Sequence, residues 1–239
     1  MISPVIWPDD ARERAAAAAG MGLRRPVAAG TGAALRELVG TDPDPRVRAA
    51  ALGALVRVAG HRAARPWASA LIDADPSVRR RAAEVAPEVA PTDCSPLVAA
   101  LADPDPAVAE AVAFALGELA APALAAGAVP ALASVALSHP DPLVREAAVA
   151  ALGSLGHPDG LGAVLSACSD RPAIRRRAVV ALAAFTGAEV EAALRSALDD
   201  RDWQVRQAAE DLLGPAPAGT GGWGRGPRPH RDEPPGEEP

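Results

Sequence analysis

Residues 141–155 read DPLVREAAVAALGSL, and the fold follows from this stretch and its echoes along the chain. Asp141 is a helix N-cap, because its carboxylate can accept from the free amides of a first helical turn. Pro142 suits the first helical position, where no amide hydrogen is needed. Val144, Ala147, Ala148, Ala151, Leu152 and Leu155 then recur at three- and four-residue spacing, the period of a helix with one buried stripe. The same reading applies to DPRVRAAALGAL from Asp44, DPSVRRRAAEVA from Asp75, DPAVAEAVAFAL from Asp105, RPAIRRRAVVAL from Arg171 and DWQVRQAAEDLL from Asp202. The aligned branched residues are Val47, Val78, Val108, Val144, Ile174 and Val205, at intervals of 31, 30, 36, 30 and 31 residues. Six occurrences at so regular a spacing define an internal repeat.

Between these helices lie second apolar stretches: Leu97 to Leu101, Leu132 to Leu137, and Val190 with Leu194 and Leu198. Each unit is therefore a helix pair. A single pair of short amphipathic helices cannot bury its apolar face, whereas a stack can. Gly53, Gly117, Gly153 and Gly156 stand where the first helix of a pair is expected to end. The 36-residue interval (within 106–141) holds GELAAPALAAGAVPALASVALSHPDP. It predicts a longer inter-helix turn, or else a local change of curvature that shapes a groove.

Composition agrees. Alanine fills 60 of 239 positions, aromatics are 3%, and lysine, tyrosine and asparagine are absent, so all 24 basic residues are arginine. Alanine favours helices and strands favour branched and aromatic residues, so the fold class is all-α. Alanines at shared register, Ala49, Ala50, Ala82, Ala83, Ala147, Ala148, Ala208 and Ala209, are expected where stacked helices touch. The net charge of -6 argues against a general nucleic-acid binder. It is unevenly spread: residues 1–100 hold 13 arginines against 11 acids, residues 101–200 hold 6 against 12.

The pattern resembles the HEAT repeat, a close relative of the armadillo repeat, in the short form also found in phycobilisome-lyase-type proteins. The resemblance implies a right-handed α-solenoid of about six to seven helix pairs. It covers residues 42–213, preceded by an N-terminal region, 1–41, with a degenerate capping pair. Residues 214–239, with 14 glycines and prolines in 26 positions, are expected to form a disordered tail. Trp223 in that segment is either a recognition motif or a stray tryptophan. The resemblance further implies a ladder between repeats, made by an Asp in the turn and an Arg six residues on. The matching pairs are Asp42 with Arg48, Asp73 with Arg79, and Asp200 with Arg206. Asp103 lacks its Arg because Ala109 stands there, Arg145 faces His139, and Arg175 faces Ser169. The ladder is expected to be half complete, with weaker stacking near 103–109 and 139–175.

Motifs for chemistry are sparse. Histidines 61, 139, 157 and 230 have neither metal-ligand spacing nor a neighbouring Glu, which argues against a di-iron site such as that of deoxyhypusine hydroxylase, a HEAT-repeat enzyme. No metal or cofactor is expected. Cys94 and Cys168 form no metal motif and read as free thiols, Cys94 near a helix N-terminus but without a partnering base. There is no secretory signal and no run of about 18 apolar residues, so the expectation is a cytoplasmic monomer without a membrane span. Arg79–Arg81 and Arg175–Arg177 occupy equivalent places in two repeats. They read as ladder residues plus a solvated face, or as two anionic docking points. Trp67 is expected in the core, and Trp203 is expected to cover the last repeat.

What remains is a surface. The resemblance implies that second helices line the concave face. There the positions between apolar anchors are small or basic: Arg36, Arg65, Ser69, Ser134, Ser166, Arg195 and Ser196. Such a groove suits a protein or peptide partner, and the reading is a non-catalytic scaffold or adaptor. The alternative is an enzyme or enzyme subunit on the same solenoid, either a lyase or chaperone like the phycobilin lyases or an alkylpurine DNA glycosylase. A glycosylase would show a positive concave groove with an exposed Trp and a carboxylate.

Overall fold

The structure, a computed structural model, describes residues 6–24 and 26–214. The tail beyond Gly214, with Trp223 and His230, lies outside them. Among the described residues there is no strand. Seven helices begin the units: α1 (Ala11–Met21), α3 (Pro45–Ala59), α5 (Pro76–Glu84), α8 (Pro106–Glu118), α11 (Pro142–Leu155), α13 (Pro172–Ala181) and α15 (Trp203–Leu213). Six answer them: α2 (Thr31–Thr41), α4 (Ala64–Ala70), α7 (Ser95–Ala100), α10 (Ala128–Ser138), α12 (Leu161–Ala167) and α14 (Ala188–Ala197). Two short helices, α6 (Ala86–Val89) and α9 (Ala121–Ala125), and 3-10 turns at 60–63, 158–160 and 182–184 complete the connections. The result is a two-layer α-solenoid of six pairs and a closing helix.

The caps form as the sequence dictates. Asp10, Asp44, Asp75, Asp105, Asp141 and Asp202 each accept a first-turn amide, and prolines follow at 45, 76, 106, 142 and 172. Arg171 makes no cap. The first turn of α13 has no side-chain cap, and Asp170 bonds only the amide of Arg171 itself, at 2.7 Å. The six aligned branched residues are all buried, and so are Ala82, Ala83, Ala147, Ala148 and Ala209. Ala49, Ala50 and Ala208 are half-buried at the edge of the same seam. Trp67 is 3% exposed, and its indole donates to the Ala82 carbonyl at 2.8 Å, which ties α4 to α5.

Three glycines do not end helices. Gly53, Gly117 and Gly153 lie inside α3, α8 and α11, and of these four glycines Gly156 alone is a C-cap, in left-handed conformation. The reason at two of them is close approach. A Cβ on Gly117 would stand 3.0 Å from the Ala151 Cα, and one on Gly153 only 2.7 Å from the Ala181 Cβ. The long interval is absorbed by α9, entered at Ala120 with φ 42° and left through Gly127 with φ 73°, and by the eleven-residue α10.

Candidate functional site

The ladder is real, and its register differs from the expected one. Each arginine of the Val-Arg pair donates Nη1 to the turn of its own unit, and Nε and Nη2 to the carboxylate of the next. Arg48 bonds the Asp42 carbonyl at 3.0 Å and the Asp73 carboxylate at 2.9 and 2.7 Å. Arg79 does the same with the Asp73 carbonyl and the Asp103 carboxylate, and Arg145 with the His139 carbonyl and Asp170. Arg175 takes the Asp170 carbonyl, not Ser169, and the Asp200 carboxylate. Arg206 bonds the Asp200 carbonyl at 2.8 Å. Arg14, in the capping pair, supplies an unforeseen first rung to Asp42 at 2.7 Å.

Five rungs therefore form, so Asp103, Arg145 and Arg175 each have a charged partner, and the gap expected from Ala109 and His139 is confined to a single junction. Among the described residues the one junction without a rung is α8–α11, where Ala109 replaces the arginine and His139 the aspartate. His139 keeps half of the role, its Nδ1 accepting the Asp141 amide at 3.1 Å. Hydrogen bonds from Arg79, Arg145 and Arg175 hold the carboxyls of Asp103, Asp170 and Asp200 below the usual range.

The seven candidate binding residues do not converge on one site. Arg36, Arg65 and Ser69 line a single groove of about 670 Å³ between α2 and α4, joined by Arg62 from the 3-10 turn. Ser134 lies in a separate groove with Val98 and His139. Ser166 and Ser196 are exposed further along, and Arg195 is held by Glu191 at 2.7 Å. The serines at 69 and 166 turn their hydroxyls back to the carbonyls four residues before.

The opposite layer carries features that the periodicity hid. On α8, Ala107, Ala111, Phe114 and Glu118 share the outward face, and Phe114 is 45% exposed. It stands in a groove of about 290 Å³ between α5 and α8, rimmed by Arg80, Glu84, Glu110 and Glu118. A second groove, of about 350 Å³, runs between α13 and α15 beside Val180, Trp203, Arg176 and Gln207. Trp203 is 64% exposed, so it does not cover the last repeat. The arginine triplets divide their labour. Arg79 and Arg175 are rungs, Arg80 and Arg81 pair with Glu84, Arg177 reaches Glu146 at 3.4 Å, and Arg176 faces the second groove.

Neither thiol is activated. Burial pushes Cys94 up, with Asp93 adding to the shift, and burial raises Cys168 to about 11. Among the described residues no His, Cys, Asp or Glu cluster is placed to hold a metal ion, and no helix is long and apolar enough to cross a membrane.

Comparison with known proteins bears on this architecture. No curated protein matches the chain. Among solved structures, the Escherichia coli protein YibA superposes with a TM-score of 0.60 at 16% identity, covering 87% of this chain and 77% of that one. A computationally designed armadillo repeat protein for modular peptide recognition gives 0.53 at 19% identity, covering 82% and 98%. The complex of CpcE and CpcF of phycocyanin lyase from Nostoc gives 0.52 at 22%, covering 88% of each chain. At these identities the likeness is one of fold. The family model of HEAT repeats matches residues 92–172 and 129–214, which together span just over half of the sequence. With the repeat, the capped helix pairs and the arginine ladder in place, the chain belongs to the HEAT-repeat family.

Proposed function

We propose that this protein is a non-catalytic scaffold or adaptor that binds a peptide or protein along its concave helical face. The concave face in this reading is that of α3, α5, α8, α11, α13 and α15. Consecutive members of that layer pack along its whole length, closely enough that glycine is needed at 117 and 153, whereas the second helices touch more sparsely. A two-layer stack bends toward its tighter layer. Arg36, Arg65, Ser69, Ser134, Ser166, Arg195 and Ser196 then belong to the outer surface.

The observation that carries the proposal is Phe114, an exposed aromatic set in a groove and ringed by charged side chains. An apolar anchor inside a polar rim is the composition of a protein-docking surface. Val180 and Trp203 repeat the arrangement toward the C-terminal end. At about 9 Å per helix, α8 to α15 spans roughly 27 Å, the length of some eight extended residues. The designed armadillo neighbour, made for peptide recognition, shares the fold. The lyase reading rests on fold likeness alone, whereas the Phe114 groove is a feature of this chain.

The test is site-specific photocrosslinking in the native cell. A benzophenone side chain at position 114 should give one discrete protein adduct, lost on Trp203→Ala with Arg176→Glu. The same probe at Ser166, on the outer layer, should give none. Equal adducts from both positions, or none from 114, would refute the proposal.

A further inference from the structure

We infer that the groove between α2 and α4 is a second docking site, specific for an extended acidic segment of a partner protein. Arg36, Arg62 and Arg65 come from three different elements to one groove of about 670 Å³. All three are exposed, and none pairs with a carboxylate among the described residues. The two carboxylates in the lining are already spent. Asp42 is bound by Arg14 and by the Asp44 amide, and Asp73 by Arg48 and the Asp75 amide. Three guanidinium forks are left facing an open groove, whereas on the opposite layer Arg80, Arg81 and Arg177 have glutamates beside them.

Guanidinium forks pair bidentately with carboxylates, and three of them along a groove suit a chain of acidic side chains. Val39, Pro66 and Ala70 give the groove an apolar side against which the aliphatic stems of such a chain can lie. The rest of the molecule directs the ligand there. Residues 101–200 hold twice as many acids as arginines, so an acidic partner is repelled from the C-terminal half and drawn to this end. The same imbalance disfavours a long nucleic acid, whose phosphates would run over acidic surface. A single-strand platform also needs exposed aromatics, and Trp67, the aromatic of α4, is buried in the core. Arginine stays charged throughout the physiological range, so salt, not pH, controls this binding.

The experiment is fluorescence anisotropy of the full chain with a labelled dodecapeptide of alternating Glu and Ser. Binding should weaken about tenfold on raising NaCl from about 50 to 300 mM. Arg62→Glu with Arg65→Glu should weaken it by at least about tenfold while leaving the thermal unfolding midpoint in place, because both side chains are exposed. Phe114→Ala and Arg176→Glu should leave it unchanged, which separates this site from the concave face. Three results would overturn the inference. The first is undiminished binding to the double variant. The second is equal affinity for a twelve-residue oligothymidylate, which makes the groove a general polyanion site. The third is a tenfold gain in Asp232→Asn/Glu233→Gln/Glu237→Gln/Glu238→Gln, which makes this chain's own C-terminal segment the occupant.

Discussion

Glycine to alanine inside a helix ordinarily stabilises by about 1 kcal/mol, since alanine lowers the entropy of the unfolded chain and favours the helix. Gly53, Gly117 and Gly153 offer that gain equally, each lying within a helix that continues past it. The neighbours decide what is kept. At Gly53 a new Cβ meets only the Arg57 and Arg81 side chains, at 3.6 Å and beyond, so Gly53→Ala should keep the full gain. At Gly153 the new atom would lie 2.7 Å from the Ala181 Cβ and 2.9 Å from its Cα, where ordinary contact begins at 3.4 Å. Backbone cannot swing aside as a side chain does, so α11 and α13 must part. Overpacking of this kind costs about 1–3 kcal/mol, which leaves Gly153→Ala a net loss of about 1 kcal/mol. Gly117→Ala, with contacts of 3.0 and 3.2 Å to Ala151, should fall between them. In a chain of this size 1 kcal/mol moves the unfolding midpoint by roughly 2–4 °C, within reach of differential scanning calorimetry. The expected order of midpoints is Gly53→Ala above wild type, and Gly153→Ala below it. A Gly153→Ala protein as stable as Gly53→Ala would refute the claim that this layer packs at closest approach.

Two further outcomes follow from the ladder and the core. Asp103, Asp170 and Asp200 have folded-state pKa values below their unfolded values, since the arginine hydrogen bonds favour the ionised form. Their contribution is complete above the unfolded pKa of about 3.9 and is lost as pH falls through the lower folded values. The urea midpoint should therefore hold level from about pH 7 to 5 and drop below about pH 4. A fall already complete at pH 5 would contradict the assignment. Trp67→Phe removes the indole donor to the Ala82 carbonyl and leaves a smaller ring in a buried site, a loss of about 2–3 kcal/mol in urea unfolding. An unchanged midpoint would show that this bond does not tie α4 to α5.

The fold was legible because its signals are local. An N-cap aspartate, a proline and a branched residue repeat with a period that only stacked helix pairs satisfy, and each of those residues takes its expected place. The ladder was legible in its members but not in its pairing. A fixed six-residue spacing cannot see that the turn before Arg171 is built differently, so that Asp170, one position after Ser169, faces Arg145. Nor can spacing along one unit show that an arginine reaches forward about 25 residues to the next. Phe114 was hidden for another reason: its helix is apolar over most of its surface, with Val112, Ala113, Ala115 and Leu116 all buried around it. The clue was its phase, since 107, 111, 114 and 118 fall on one face and that face ends in Glu118.

The broken rung bears on what the ladder is for. If ion pairs held the stack together, the α8–α11 junction, with Ala109 and His139 in place of arginine and aspartate, would be its weakest seam. It is instead the junction of the two longest neighbouring helices after α3. Ala109 is fully buried there, and Gly117 lets the Ala151 backbone approach to the limit of contact. Dispersion and apolar burial grow with such closeness. A half-buried ion pair, by contrast, gives back much of its attraction in lost hydration. The rungs are better understood as setting register: each arginine is bound both to its own turn and to the next, which fixes the position of one unit on its neighbour. At α8–α11 that task falls to the interlock of Gly117 with Ala151. The groove at Phe114 lies one junction earlier, between α5 and α8, where the largely buried Arg79–Asp103 rung adds to the packing, and so it should keep its shape at salt concentrations that empty the exposed arginine groove between α2 and α4.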